Sequence, residues 1–389
     1  MRSKKTFYNT LSSLLLQLII IIYGFVVPKI IISNYGSNIN GLVSSITQFL
    51  AYIALLDSGF TVVIKSQLYK PIASKNEKDI GLILKESERF FKRIAYIFII
   101  YIIIVALFFP ITVGKEFDYL FTITLIVILS ISTFFEYYFG MVYKLFLQAD
   151  QKNYIISTIN IFVYLLTIIL SFIMSHLKVS IIVFKLVTCF IFLLRPILQN
   201  IYFKKKYKID LKSINGKYNI KNKWDGLAQH IAAVIHDNTD IVLLSFFSNL
   251  CEVSVYSVYS LVTKGIRKII FGFTDGIEAA FGNMLAKNEK ENLNNKFNIY
   301  EDIYYTILTI IFFCGIVLIV PFVSVYTKGI DDANYIRYLF GTLMIAGELL
   351  FAIRMPYSTL TKAAGHFKET MKGAWIECIS NLIFLILIE

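Results

Sequence analysis

The sequence predicts an all-α membrane protein that crosses the bilayer many times and folds as two six-helix-type bundles. Three observations predict it. Of the 389 residues, 57% are hydrophobic and only 16% charged, with a mean hydropathy of +0.67, whereas soluble proteins carry about 25% charged residues. Apolar runs of roughly 20 residues, the length of one crossing, recur along the chain. Lysine and arginine gather in every second connection between those runs, as the positive-inside rule requires.

Residues 1–7 are short and basic, and Leu11–Ile32 is an uninterrupted apolar run. A cleaved secretory signal has a shorter apolar core and a small-residue cleavage site, so this run reads as a retained first helix. Ten further spans follow, at about 41–64, 94–114, 119–143, 154–175, 179–201, 226–247, 253–286, 303–327, 335–360 and 371–388. About eleven transmembrane helices are thus expected, the eighth long enough to project into the cytoplasm. With the N-terminus inside, the inner segments hold 27 of the 38 Lys and Arg residues. The outer loops hold five, Lys29, Lys115, Lys178, Lys328 and Arg337, and the spans hold six. The same asymmetry explains the formal net charge of +12 without a nucleic-acid partner. The four cysteines, Cys189, Cys251, Cys314 and Cys378, show no C-x-x-C or Cys/His spacing, so no metal site is expected.

The chain repeats itself. Gly59-Phe60-Thr61 and Lys75-Asn76-Glu77-Lys78, in and after the second span, recur as Gly272-Phe273-Thr274 and Lys287-Asn288-Glu289-Lys290, offset by 213 and 212. Two bundles in parallel orientation follow, a common transporter design with the site between the halves. Residues 1–203 form the first, 204–225 a basic cytoplasmic connector, and 226–389 the second. By that arithmetic the second bundle has five helices and its final helix is missing.

The stretch from Gly226 to Ala286 carries the chemistry. Ionisable groups at membrane depth are costly and mark a pathway. On a helix, His230, Asp237 and Asp240 fall within about 80° of one another, while Tyr256, Ser260, Thr263 and Arg267 share a similarly narrow stripe. Two adjacent apolar helices, each with one polar seam, predict a water-filled path. The six intramembrane cations are Lys185, Arg195, Lys264, Arg267, Lys268 and Arg354. Asp57, Glu136, Asp237, Asp240, Asp275, Glu278, Glu348 and Glu377 are the acids. Some must pair, and Asp237 or Asp240 with Lys264 or Arg267 is the expected pairing. An unpaired acid at depth could carry a coupling proton or sodium ion. Glu348, alone and central in its span, is the foremost candidate, with Asp57, Glu136 and the titratable His236 as further cavity residues.

Several of these residues are familiar in order and spacing. Asn34-Tyr35-Gly36 through Asp57-Ser58-Gly59-Phe60 resembles the first two helices of Wzx-type polysaccharide flippases. So do Leu147-Gln148-Ala149-Asp150-Gln151-Lys152, Asn238-Thr239-Asp240, Val253-Ser254-Val255-Tyr256-Ser257 and Ala364-Gly365-His366-Phe367-Lys368-Glu369-Thr370. Those flippases belong to the multidrug/oligosaccharidyl-lipid/polysaccharide (MOP) exporter superfamily. The resemblance spans nearly the whole chain. It implies a central cavity and passage of an isoprenoid-pyrophosphate-linked oligosaccharide from the inner to the outer leaflet of a bacterial plasma membrane. It also implies glycan polymerases or glycosyltransferases as partners. Against that pattern the last helix is lacking.

A flippase needs cations for the pyrophosphate and hydroxyls or aromatic faces for the sugar. Arg267 leads as the bidentate phosphate partner, with Lys264, Arg195 and Arg354 beside it. Tyr256, Tyr259, Ser260 and Thr263 are the candidate sugar contacts. No P-loop and no catalytic or metal spacing occurs, so a transporter without cofactor is expected rather than an enzyme. The alternatives are an ion-coupled multidrug exporter of the same fold and a peptidoglycan-precursor flippase.

Overall fold

The computed structural model describes residues 2–207 apart from 58, 59 and 115, residues 227–364 apart from 287, and isolated positions 209, 218, 373, 376 and 380. All regular structure among them is helical. The helices are α1 (Arg2–Tyr35), α2 (Ser37–Ala51), α3 (Phe60–Ala73), α4 (Glu77–Thr112), α5 (Tyr119–Phe135), α6 (Met141–Ala149), α7 (Asn153–His176), α8 (Ile181–Tyr207), α9 (Leu227–Phe247), α10 (Leu250–Ala286), α11 (Lys290–Tyr326), α12 (Tyr338–Ile353) and α13 (Met355–Ala363). A 3₁₀ turn (Tyr52–Leu55) follows α2, and a π-turn (Glu136–Gly140) joins α5 to α6. Contacts divide the chain into two compact units, Met1–Leu250 and Cys251–Glu389.

Seven of the described helices are long and apolar enough to cross a membrane: Tyr8–Tyr35, Glu77–Thr112, Tyr119–Ala149, Asn153–His176, Ile181–Tyr207, Lys290–Tyr326 and Tyr338–Thr361. Eleven were expected, and the difference has local causes. The expected span 41–64 is not one helix, because α2 closes in the 3₁₀ turn and α3 begins only at Phe60. α10 carries Glu252, Lys264 and Arg267 within its first eighteen residues, too many charges for a plain apolar span. α9 is continuous, but most of its side chains lie outside the described residues, as does the expected span 371–388.

In the first unit, α1 and α7 run parallel and are tied at both ends. Near one end the Asn9 side chain donates to Gln151 O at 3.0 Å and accepts from Tyr154 N–H at 2.8 Å. Near the other, Asn34 donates to Ser175 Oγ at 2.8 Å, and the Tyr35 hydroxyl donates to Val179 O at 2.9 Å. Helices of alternating direction between those ends are what the lysine and arginine distribution predicts. α4 shows how a span is solvated by lipid. Phe91, Ile94, Phe98, Val105 and Phe109 are buried on one face, while Ile97, Ile100, Ile104, Phe108 and Ile111 are exposed on the opposite one. A helix apolar all round has no aqueous face. At about 1.5 Å per residue α4 is some 54 Å long, so its charged first four turns extend past a hydrocarbon core of roughly 30 Å.

α9 packs in the first unit, although the sequence places 226 onward in the second bundle. Its Ser245 hydroxyl lies 2.6 Å from that of Ser45 on α2, Gln48 donates to Asn238, and the Tyr52 and Thr239 hydroxyls meet at 3.3 Å. The α9–α10 connection presses on α2 so closely that a β-carbon at Gly41 would stand 1.9 Å from Leu250 O.

One order of elements occurs twice. A helix of 36 residues (α4) precedes one of 17 (α5), a break, and one of nine (α6). In the second unit the lengths are 37 (α11), 16 (α12) and nine (α13), with the break at Arg354. The turns that lead into the long helices also match. Lys75 (φ 52°) and Asn288 (φ 58°) both take left-handed backbone. The bonds Lys75 N–H to Ile72 O and Asn76 N–H to Pro71 O return as Asn288 to Leu285 and Glu289 to Met284. This double bond around a left-handed residue is a common helix C-terminal closure, and Gln151 and Lys178 close α6 and α7 the same way. The order of lengths is therefore the more specific repeat.

Candidate functional site

In the second unit the charged side chains converge on α10 and α12. Glu348, Phe351 and Arg354 stand three residues apart and so lie close on one face of α12 and the turn after it. Arg267 on α10 reaches across to them. Its Nε donates to Glu348 Oε2 at 2.8 Å and its Nη2 to Oε1 at 2.7 Å. This is the two-pronged arginine–carboxylate geometry, stronger than a single charged hydrogen bond. The pair is 20% and 12% exposed, so little water screens it. The guanidinium also lies 4.8 Å from the Phe351 ring, which Arg354 flanks at 4.5 Å. Two arginines thus share one aromatic ring, and Arg354 is the exposed one.

Arg267 thus forks onto Glu348; of the two carboxylates expected to pair with Arg267 or Lys264, the side chain of Asp237 lies outside the described residues. Glu348, in turn, is not alone. The stripe on α10 also divides. Tyr259, Ser260 and Thr263 are buried in the second unit. The Tyr259 hydroxyl donates to Tyr335 O at 2.8 Å and accepts from Arg337 N–H at 3.1 Å. It staples the α11–α12 connection to α10, where Arg337 also forks onto Glu252 with both contacts at 2.6 Å. These three residues, expected as sugar contacts, are buried in the second unit, whereas Tyr256 is half-buried. Lys264 and Lys268 are exposed. The side chains of His236 and Asp237 lie outside the described residues; Asp240 is half-buried on α9.

The first unit holds its own cluster around the π-turn. Asp57 is buried, accepting from the Tyr137 hydroxyl at 3.1 Å. Glu136 Oε1 accepts from Lys144 Nζ at 2.9 Å, with both side chains about one-third exposed. Arg195 on α8 sits between two rings, 4.2 Å from Phe192 and 4.5 Å from Tyr164. Its Nε and Nη2 are closed to water and have no hydrogen-bond partner among the described residues. Lys185 is buried beside Phe184, with Nζ 5.8 Å from that ring. No cluster of three or more metal-ligating side chains occurs among the described residues.

No protein-family model matches the chain, and no curated protein matches it. Solved structures do. An inward-facing multidrug resistance MATE family transporter of the MOP superfamily superposes with a TM-score of 0.68 at 14% identity, covering 94% of this chain and 83% of that one. The lipid II flippase MurJ in an inward closed conformation gives 0.64 at 16% identity, over 96% and 80%. The chain has the fold that MATE and MurJ share. A third match, MATE in complex with MaL6, gives 0.54 at 13% identity, over 96% and 85%. At these identities the likeness shows the fold alone, all-α and polytopic.

Sequence reasoning missed the partners rather than the charges. Lys144, Phe351, Tyr137 and the Glu252–Arg337 fork were not singled out. Glu252 and Arg337 are 85 positions apart, and nothing in local spacing links them. The aromatic cage of Arg195 could have been sought, since Phe192 lies one helical turn before it.

Proposed function

We propose that this chain is a membrane transporter that moves a lipid-linked anionic head group across the bilayer. Within that class we propose an isoprenoid-pyrophosphate-linked oligosaccharide, passed from the inner to the outer leaflet of a plasma membrane for surface polysaccharide assembly. The N-terminus is cytoplasmic, the two repeated halves carry the transport fold, and glycosyltransferases or a polymerase are the partners in this reading. The observation that carries it is the state of the acids. Asp57, Glu136, Asp240 and Glu348, the described carboxylates within the expected spans, all have interaction partners. Lys185 and Arg195 have no carboxylate at ion-pair distance among the described residues. Described acids that are engaged, beside two cations without a carboxylate at ion-pair distance among the described residues, suit phosphate rather than an organic cation.

Arg354 is the foremost head-group contact in this reading, since it is exposed while the fork of Arg267 is occupied. Replacing it by alanine is expected to cut surface-glycan export about tenfold or more, with normal protein in the membrane; lysine is expected to restore export only in part. The measurement is surface glycan against the inner-leaflet pool of its lipid-linked precursor, in cells that depend on this chain. Unchanged export in Arg354→Ala removes the contact, and unchanged export without the chain removes the function.

A second reading, an ion-coupled exporter of organic cations, draws on the TM-score of 0.68 to a MATE transporter. It requires an acid at depth that gives up its partner during transport. Ethidium efflux that depends on Glu348 would favour it.

A further inference from the structure

Arg195 is the anomaly of the first unit. A guanidinium at membrane depth that leaves two N–H donors unbonded and closed to water is strongly disfavoured, and such a group calls for an explanation. Its empty edge, Nε with Nη2, is the same edge that Arg267 offers to Glu348. Arg195 therefore presents a carboxylate-shaped vacancy.

An acid stands beside it. A β-carbon at Gly140 would meet Pro196 Cβ at 2.8 Å and Glu136 Cγ at 3.7 Å, so the Glu136 side chain lies along α8 at Arg195–Pro196. The Arg195 charge is within electrostatic reach of its carboxylate. Glu136 is held instead by Lys144, eight residues on. In a regular α-helix, residues eight apart diverge by about 80°. The intervening segment is not regular, because Met141 N–H donates to Glu136 O across five residues. A π-turn takes up one extra residue, so the effective spacing is seven and the divergence falls to about 20°. The π-turn is what puts Glu136 over Lys144.

We propose that Glu136 exchanges between two cations, Lys144 while the π-turn is present and Arg195 when the segment relaxes to regular α-helix. The exchange turns α5 against α6 by up to one residue's rotation, about 100°, and fills the vacant edge of Arg195. In the resting arrangement both donors are closed to solvent, and Glu136 is the anion that stands next to them. Single-turn π segments inside α-helices are frequent at functional sites, and a pair of ion-pair arrangements of one carboxylate makes this one bistable.

Thermal unfolding of the purified full chain in detergent tests it without reference to substrate. Arg195→Gln alone is expected to shift the midpoint only slightly, because it loses the contacts with the Phe192 and Tyr164 rings but no hydrogen bond through Nε or Nη2. Lys144→Met is expected to be mild, because Glu136 moves to Arg195. In the Lys144→Met background, Arg195→Gln is expected to lower the midpoint by about 5 °C or more, since the carboxylate then has neither cation. If the double variant does not fold, adding Glu136→Gln is expected to rescue it. Equal effects of Arg195→Gln in both backgrounds, or failure that Glu136→Gln leaves uncorrected, would overturn the exchange.

Discussion

Arg267→Ala is expected to remove folded protein from the membrane, and Arg267→Ala/Glu348→Gln to bring it back. The pair is two-pronged and 20% and 12% exposed. Breaking such a pair from one side leaves an uncompensated charge in a low-dielectric interior and costs about 3–5 kcal/mol, whereas neutralising both sides is often close to neutral. Quantitative detection of the chain in washed membranes, with a fluorescent C-terminal fusion reporting folding, measures both effects. If Arg267→Ala protein accumulates normally but export fails, Arg267 acts on the substrate and the pair is not structural. If the double variant is as poor as the single one, the loss has another origin than the orphaned carboxylate. The Phe351 ring beside Arg267 adds a smaller effect: Phe351→Leu removes a contact of about 0.5–2 kcal/mol.

Gly41→Ala is expected to destabilise the first unit by about 3 kcal/mol or more, the upper range for overpacking against backbone. Its β-carbon would lie 1.9 Å from Leu250 O and 2.7 Å from the same carbonyl carbon, and a backbone carbonyl cannot swing aside as a side chain does. The α9–α10 connection would have to leave α2, breaking the Ser45–Ser245 contact. Gly24→Ala in α1 is the control. A β-carbon there meets nothing within 4 Å, so the higher helix propensity of alanine is expected to leave stability unchanged or raise it by up to about 1 kcal/mol. Comparable midpoints for Gly41→Ala and wild type would mean that α9 does not pack on α2 as described.

What the sequence made legible and what it hid separate by range. Apolar runs and the alternation of lysine and arginine depend on local composition, and α7 and α8 follow the expected spans, whereas α4 begins at Glu77, 17 residues before its expected span. The break between α2 and α3 was hidden, because residues 41–56 remain apolar through the 3₁₀ turn, although Asp57-Ser58-Gly59 after it is of turn type. The repeat was half visible. Gly59 and Gly272 are 213 positions apart, as are the left-handed residues Lys75 and Asn288. The Lys-Asn-Glu-Lys strings are offset by 212, so the letters slip by one residue against the geometry. Among the site residues, the expensive charges could be named one by one, since their cost depends on depth alone. Which carboxylate reaches which cation depends on helix packing, and the fork of Arg267 onto Glu348, 81 positions on, was not foreseen. Glu136 and Lys144 show the same limit within one helix, because their register is fixed by a π-turn that leaves no mark in composition.

The central claim, a cationic interior serving a lipid-linked phosphate, is tested most directly in proteoliposomes containing the purified chain and a fluorescent isoprenoid-pyrophosphate-linked oligosaccharide. Movement between leaflets is read as the fraction that a membrane-impermeant quencher reaches with time. The account predicts translocation well above that of empty liposomes, slowed about tenfold or more by Arg354→Ala, together with no transport of ethidium. Ethidium transport with the labelled lipid left in its original leaflet would contradict it.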